Sequence, residues 1–141
     1  MTTTAPRDWI FWLLIGLGLL MAGNAVWMLV DPGHWYEDLP AAVPDFGPYN
    51  EHFVRDIGCA FGTVAAALLW AAARSVWRLP LVGVAAIFLT AHAGLHVYEM
   101  LRGFVDSHHW WLDLPGVYLP AGVLIALCWK LRGMPAPRSA P

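Results

Sequence analysis

The sequence predicts an all-α fold, an integral membrane four-helix up-down bundle with both termini in the cytoplasm. Hydrophobic residues make up 59% of the 141 residues and charged residues only 13%, which is far from the composition of a soluble globular protein. Four apolar runs are each long enough for a helix to cross a hydrocarbon core about 30 Å thick, which takes about 20 residues. The length fits one transmembrane domain, residues 1–141.

The predicted spans are residues 9–30, 52–73, 79–101 and 114–131. Arg7 precedes the first span, as a basic residue precedes the apolar region of a signal peptide. The apolar run is longer than such a region, and no small-residue cleavage pattern follows it. We therefore expect the first span to be a retained helix.

The distribution of Lys and Arg predicts the orientation of the spans, because short loops rich in these residues stay in the cytoplasm. Arg74 and Arg78 lie between spans two and three, and Lys130 and Arg132 lie at the end of span four, whereas the opposite side has only Arg102. The prediction is a multi-pass protein of the inner (cytoplasmic) membrane of a bacterium, with the lipid bilayer as its first partner.

The long connection at residues 31–51 is then external. It contains four prolines and two glycines, which predict an irregular loop with at most one short helical turn near residues 34–39. It is expected to lie across the mouth of the bundle. The proline-containing tail, residues 133–141, is predicted to be disordered.

Ionisable side chains inside a span cost several kcal/mol unless they are paired or hydrated, so each needs a reason. They form two stripes at helical spacing, both in the external half of the bundle, with Asn24 of span one at a similar depth. Gly58 and Gly62 favour close packing of spans two and three, which would bring the stripes together. The stripes are His92, His96 and Glu99 in span three, and His52, Arg55, Asp56 and Cys59 in span two.

The first interpretation of this layer is a metal or haem site. His92 and His96 present imidazoles from one helical face, Glu99 adds an oxygen ligand, and His52 or Asp56 completes the shell. Nitrogen and carboxylate ligands suit iron, copper or zinc.

Two other interpretations stay open. In a structural network, Arg55 pairs with Glu99 or Asp56, and the protein is a non-catalytic accessory or interaction subunit of a membrane complex. In a quinone or small-molecule pocket, Arg55 anchors a ligand beside Asn24 and Tyr98. The pattern identifies no catalytic residue, and a transport path is disfavoured because the polar residues stop at mid-membrane.

The remaining polar residues receive simpler interpretations. The loop residues His34, His108 and His109 are expected to be solvated interface groups rather than ligands. Cys59 and Cys128 are expected to be small buried side chains. The net charge of −2 argues against a nucleic-acid partner, while the small-residue faces permit a homo-oligomer or a larger membrane complex.

The segment His52-Phe53-Val54-Arg55-Asp56-Ile57-Gly58, continued to Gly62, opens a small-residue second span after an external proline-rich loop. In this segment and in topology, the chain resembles the DoxX-like group of small four-helix bacterial membrane proteins. Some members of that group are linked to quinone-coupled sulfur oxidation and redox homeostasis. The resemblance therefore implies a redox-associated membrane role, and it assigns no function to the span-three histidines.

Overall fold

The computed structural model describes residues 7–134, and every regular element in that range is helical. The long helices are α1 (Trp9–Val30), α3 (Glu51–Ala73), α4 (Arg78–Leu101) and α6 (Leu119–Arg132), and the short ones are α2 (Pro32–Asp38) and α5 (His109–Leu112). Single 3₁₀ turns lie at Val43–Phe46 and Ser75–Trp77, and a π-helical turn at Leu114–Tyr118 leads into α6.

The four predicted spans are confirmed as helices long and apolar enough to cross a membrane. Spans one and two coincide with α1 and α3, span three is Ser75–Leu101, and span four is Leu114–Arg132. From position 135 onward, the predicted disordered tail lies outside the described residues.

Side-chain caps set where the helices begin. The Asp8 side chain accepts the Phe11 amide at 2.8 Å at the start of α1, and the Asn50 side chain accepts the Phe53 amide at 3.1 Å at the start of α3. Each bond satisfies one of the amides that a helix N-terminus leaves without an intrahelical partner.

The loop between α1 and α3 is more ordered than predicted. Pro32 occupies the first turn of α2, where its fixed φ angle suits a helix start, and the Asp31 side chain accepts the His34 amide at 3.3 Å. The prediction of at most one short helical turn is therefore wrong. Helix α2 has 7 residues, about two turns, and the 3₁₀ turn at Val43–Phe46 is a second helical segment.

The core follows the contact between α1 and α3. A Cβ atom at Gly58 would lie 3.0 Å from the Cβ of Met28, so the absence of a side chain at Gly58 lets these two backbones approach closely. The expectation that Gly58 supports the packing of spans two and three is wrong, since its close neighbours belong to α1. Helix α4 packs between α3 and α6, and Leu14, Leu68 and Leu124 are completely buried.

Long-range contacts define the two ends of the bundle. At one end, which we call the terminal end, Arg78 pairs with Asp8 at 2.7 Å and the Lys130 ammonium lies 5.5 Å from the centre of the Trp9 ring. At the other, which we call the loop end, the connections at 31–50 and 102–113 meet where His109 contacts Asp45 at 3.1 Å.

Candidate functional site

The loop end buries two ionisable side chains almost completely. His109 is 0% exposed and Asp113 is 1% exposed, although both lie in the short connection between α4 and α6. One helical turn of α5 separates them, with the Asp113 amide donating to the His109 carbonyl at 3.0 Å. This i, i+4 spacing places both side chains on one face of the turn.

These two residues are the centre of a chain of contacts that joins three segments. His109 Nε2 lies 3.1 Å from Asp45 Oδ2, and His109 Nδ1 lies 3.5 Å from Asp113 Oδ1. The other oxygen of Asp113 lies 2.8 Å from His96 Nδ1, and the His96 ring meets the His92 ring edge-on with 4.7 Å between centroids. Imidazoles and carboxylates thus alternate from Asp45 to His96, and the His92 ring follows along α4.

The 3.5 Å gap between His109 and Asp113 is longer than an ordinary hydrogen bond. His109 Nδ1 and Asp113 Oδ1 are both buried without a hydrogen-bond partner. Leaving such atoms unsatisfied costs about 1–3 kcal/mol each. A closer approach of these two atoms would satisfy both of them.

His108 is oriented by a different carboxylate. Its Nδ1 lies 2.9 Å from Asp106 Oδ1, and its backbone amide donates to the same oxygen at 2.9 Å. The backbone hydrogen bond, followed by the contact with the ring, holds the pKa of Asp106 below its usual value. With Nδ1 facing Asp106, Nε2 is the nitrogen left to meet other groups.

Asp45, His108 and His109 approach one another closely enough to share a metal ion. One nitrogen or oxygen atom from each lies within 4.8 Å of the other two. Within residues 7–134, no other three His, Cys, Asp or Glu side chains meet this criterion. The group combines a buried imidazole with two exposed side chains, so an ion has access from solvent.

Phe46 packs against two imidazole rings at the loop end. Its ring lies 4.8 Å from the His96 ring and 4.7 Å from the His109 ring, between centroids. The 3₁₀ turn Val43–Phe46 delivers both Asp45 and Phe46 to the site. It follows Ala42 at a φ of 50°, a left-handed conformation that is unfavourable for alanine.

The predicted intramembrane site is brought together only in part. His92 and His96 are neighbours, and His92 also contacts the rings of Phe61 and Phe88. His52 and Asp56 lie on the exposed face of α3 and pair with each other at 3.3 Å. The two polar stripes do not meet, because α3 turns Val54, Gly58 and Phe61 inward instead. A metal-binding role for His92, His96, Glu99, His52 and Asp56 stays a prediction.

The predicted ligand-binding residues have separate environments. Arg55 pairs with Glu51 at 3.0 Å, which corrects the expected pairing with Glu99 or Asp56. The side-chain oxygen of Asn24 accepts the indole N–H of Trp35 at 2.9 Å, which anchors α2 to α1. Tyr98 is exposed, and its ring faces Phe104.

Two further expectations are wrong. His109 is buried rather than solvated, and Cys59 is exposed although Cys128 is buried as expected. The i, i+4 spacing of His109 and Asp113 beside the fourth span is a signal that could have identified the buried pair. Nothing local in the sequence marks Asp45 as their neighbour, since 64 positions separate it from His109.

Comparisons with protein-family models, characterised proteins and solved structures found no match for this chain. The resemblance to the DoxX-like group therefore stays a prediction. Fold and site together define the class: an all-helical protein, over the described residues, with four helices that suit a bilayer and a buried imidazole–carboxylate cluster at one end.

Proposed function

We propose that this chain is a multi-pass inner-membrane protein that binds a divalent transition metal ion at its loop end, in a redox-associated role. The ligands are Asp45, His108 and His109. The observation that carries the proposal is the placement of the buried His109 ring, with a carboxylate against each ring nitrogen.

Distances and donor types fit such an ion. The 3.1 Å between His109 Nε2 and Asp45 Oδ2 matches two ligands that each lie about 2.0–2.2 Å from one metal. Two imidazoles and one carboxylate suit zinc, copper(II) or iron(II) rather than calcium or magnesium, which prefer oxygen ligands alone. Three protein ligands also leave a coordination position for water or a substrate.

The surrounding carboxylates support the same assignment. In metal sites, a ligating histidine donates its second ring N–H to a carboxylate, carbonyl or water, which fixes the tautomer and orients the ring. Asp113 faces Nδ1 of His109 and Asp106 faces Nδ1 of His108, so both rings present Nε2. Within residues 7–134, no Lys or Arg forms an ion pair with these carboxylates or with Asp45.

The distribution of Lys and Arg gives the orientation of the bundle across the membrane. With the terminal end in the cytoplasm, the up-down bundle carries both termini inside, and the loop end faces the external compartment. An ion bound there comes from outside the cell membrane, and His96 and His92 extend the polar line from the site into the span.

Metal analysis of the purified protein tests the proposal. After exposure to zinc, copper or iron and dialysis, detergent-solubilised wild type is expected to hold about one ion of one of these metals per chain. His108→Gln and His109→Gln are each expected to weaken binding at least about tenfold, because each removes an imidazole ligand. Elemental analysis and a competition titration with a chelator measure both quantities.

His34→Gln is the matched control. His34 is another exposed histidine, in α2 of the connection between α1 and α3, with an acidic neighbour, Asp38, at 3.6 Å, and its substitution should leave metal content unchanged. His92→Gln separates the loop-end site from the site predicted inside the membrane. Metal-free wild type, or loss of metal in His92→Gln but not in His108→Gln, overturns the assignment. A purely structural network would give the first of these results.

A further inference from the structure

The outward side of α3 carries ionised groups and small residues that are exposed and pack against no other helix within the described residues. We call the exposed residues Arg55, Asp56, Cys59, Thr63 and Ala66 the α3 outer face. The inward side of the same helix is buried against the core. The α3 outer face is therefore the part of a bilayer-spanning helix that is left to lipid or to another protein.

Charged residues beside and on this face continue from the first residue of α3 into its second turn. His52 and Asp56 pair with their side chains 88% and 61% exposed, and Arg55 pairs with Glu51. Asp56 lies about 7.5 Å along the helix from Glu51 at 1.5 Å per residue. Ionised groups are costly where a helix meets hydrocarbon, and in membrane proteins they usually face other protein or water. The exposed pairs thus favour a polar partner over lipid chains.

Small residues continue the face towards mid-membrane. Cys59, Thr63 and Ala66 follow at helical spacing, and the Thr63 hydroxyl donates to the Cys59 carbonyl at 2.9 Å, so it adds no unsatisfied donor. Small side chains on one stripe let another helix approach the backbone closely. The face therefore combines a charged outer section with a section suited to helix packing.

We propose that the α3 outer face binds a second copy of this chain about a two-fold axis normal to the membrane. In such a pair, equal positions lie at equal depths and the same patch meets itself. Along the helix, Arg55 lies about 1.5 Å from Asp56 and about 6 Å from Glu51, so each Arg55 comes nearly level with Asp56 of the other copy. The patch carries both signs of charge and is complementary to itself. The interface does not depend on the metal site.

Cys59 provides a reporter in the middle of this face. In native membranes, a short thiol-specific bifunctional maleimide is expected to convert wild type to a crosslinked dimer. Cys59→Ser should abolish the product, whereas Cys128→Ser should retain it, because Cys128 is buried on α6. As a collision control, Ile87→Cys in the Cys59→Ser background places a thiol on the exposed side of α4 and should give little dimer.

Charge reversal tests the complementarity. Arg55→Glu places acids opposite acids at positions 55 and 56 and is expected to reduce the Cys59 crosslink about tenfold, which corresponds to about 1.4 kcal/mol. The double variant Arg55→Glu with Asp56→Arg restores both signs and should recover the product. In mild detergent, light scattering is expected to give twice the 15.6 kDa chain mass for wild type and for the double variant.

Three outcomes overturn the proposal. The first is a monomer in mild detergent without any Cys59 crosslink in membranes. The second is a crosslink whose yield matches that of the Ile87→Cys control or is unchanged in Arg55→Glu. The third is a product in which Cys59 is crosslinked to a different protein. That result would assign the α3 outer face to another partner.

Discussion

The terminal end and the loop end of the bundle both bury ionisable side chains, but they do so in different ways. At the terminal end, two nitrogens of Arg78 bond one carboxylate, that of Asp8, at 2.7 and 3.0 Å, and Asp8 also caps α1. At the loop end, Asp45, Asp113 and Asp106 face imidazoles, and no Lys or Arg in residues 7–134 forms an ion pair with them.

The difference lies in the source of the positive charge. A guanidinium is always charged and matches a carboxylate in geometry, so the terminal end carries its own counter-ion and joins α1 to α4. The loop end offers nitrogen and oxygen atoms with lone pairs, and Asp45, His108 and His109 each bring one such atom within 4.8 Å of the other two. Such an arrangement can accept a cation from outside the chain. The Arg78–Asp8 pair of the terminal end, which we call the terminal lock, therefore holds α1 against α4. The loop end is the candidate for function.

The largest effect is expected from breaking the terminal lock. Arg78 is 4% exposed, and Arg78→Met leaves Asp8 without its paired cation. The carboxylate left behind is 30% exposed, so the loss is that of charge-assisted hydrogen bonds, about 1.5–3 kcal/mol, and the unfolding temperature in detergent should fall while metal content stays unchanged. Circular dichroism on heating measures the first, and elemental analysis the second.

Arg132→Met is the control for that experiment, since Arg132 is exposed at the end of α6 and its loss should leave thermal stability nearly unchanged. Equal stability of Arg78→Met and Arg132→Met would contradict the structural role of the pair. Loss of metal from folded Arg78→Met would contradict the separation between the two ends.

An intermediate effect is expected at the loop end from Asp113→Asn. The amide keeps the shape of the carboxylate but loses its negative charge, which lies 3.5 Å from His109 Nδ1 and favours the tautomer with the proton on Nδ1 and Nε2 free for a metal. Loss of such an orienting carboxylate weakens metal binding about 10–100-fold. Chelator competition measures the affinity. An unchanged affinity would show that Asp113 does not orient the ligand.

The smallest effect concerns the acid stability of the terminal lock. Partial burial raises the pKa of Asp8, but the hydrogen bonds from Arg78 and the Phe11 amide outweigh it and hold the pKa below the ordinary value of 3.8. A carboxyl with a lowered folded pKa stabilises the fold above its unfolded pKa, and this stabilisation is lost as the pH falls through the folded pKa.

Wild type is therefore expected to lose thermal stability below about pH 3.8 more steeply than Asp8→Asn, which lacks the titrating group. Melting curves between pH 6 and pH 2.5 compare the two proteins. Parallel pH profiles would contradict a role of the ionised Asp8 carboxylate in stability.

Much of the fold could be predicted from the sequence, and less of the site. The four spans follow from length and hydropathy, because a bilayer imposes the same requirement on every crossing helix. The helical proximity of His92 and His96 also follows from spacing alone. The sequence does not predict which side of α3 faces the core, since both sides of this helix carry small residues. In the structure, Val54, Gly58 and Phe61 are buried, and Arg55 and Asp56 are exposed.

The sequence by itself determined that four apolar helices exist, where they begin and end to within a few residues, and that its intramembrane ionisable groups cluster towards one end of two spans. These properties are local, because they depend on the residues of one helix and on its solvent. Only the tertiary structure decided which polar groups meet. Asp45 reaches His109 across 64 positions because a turn in the long loop and the connection before α6 fold over the same end of the bundle, and no periodicity in the chain encodes that contact.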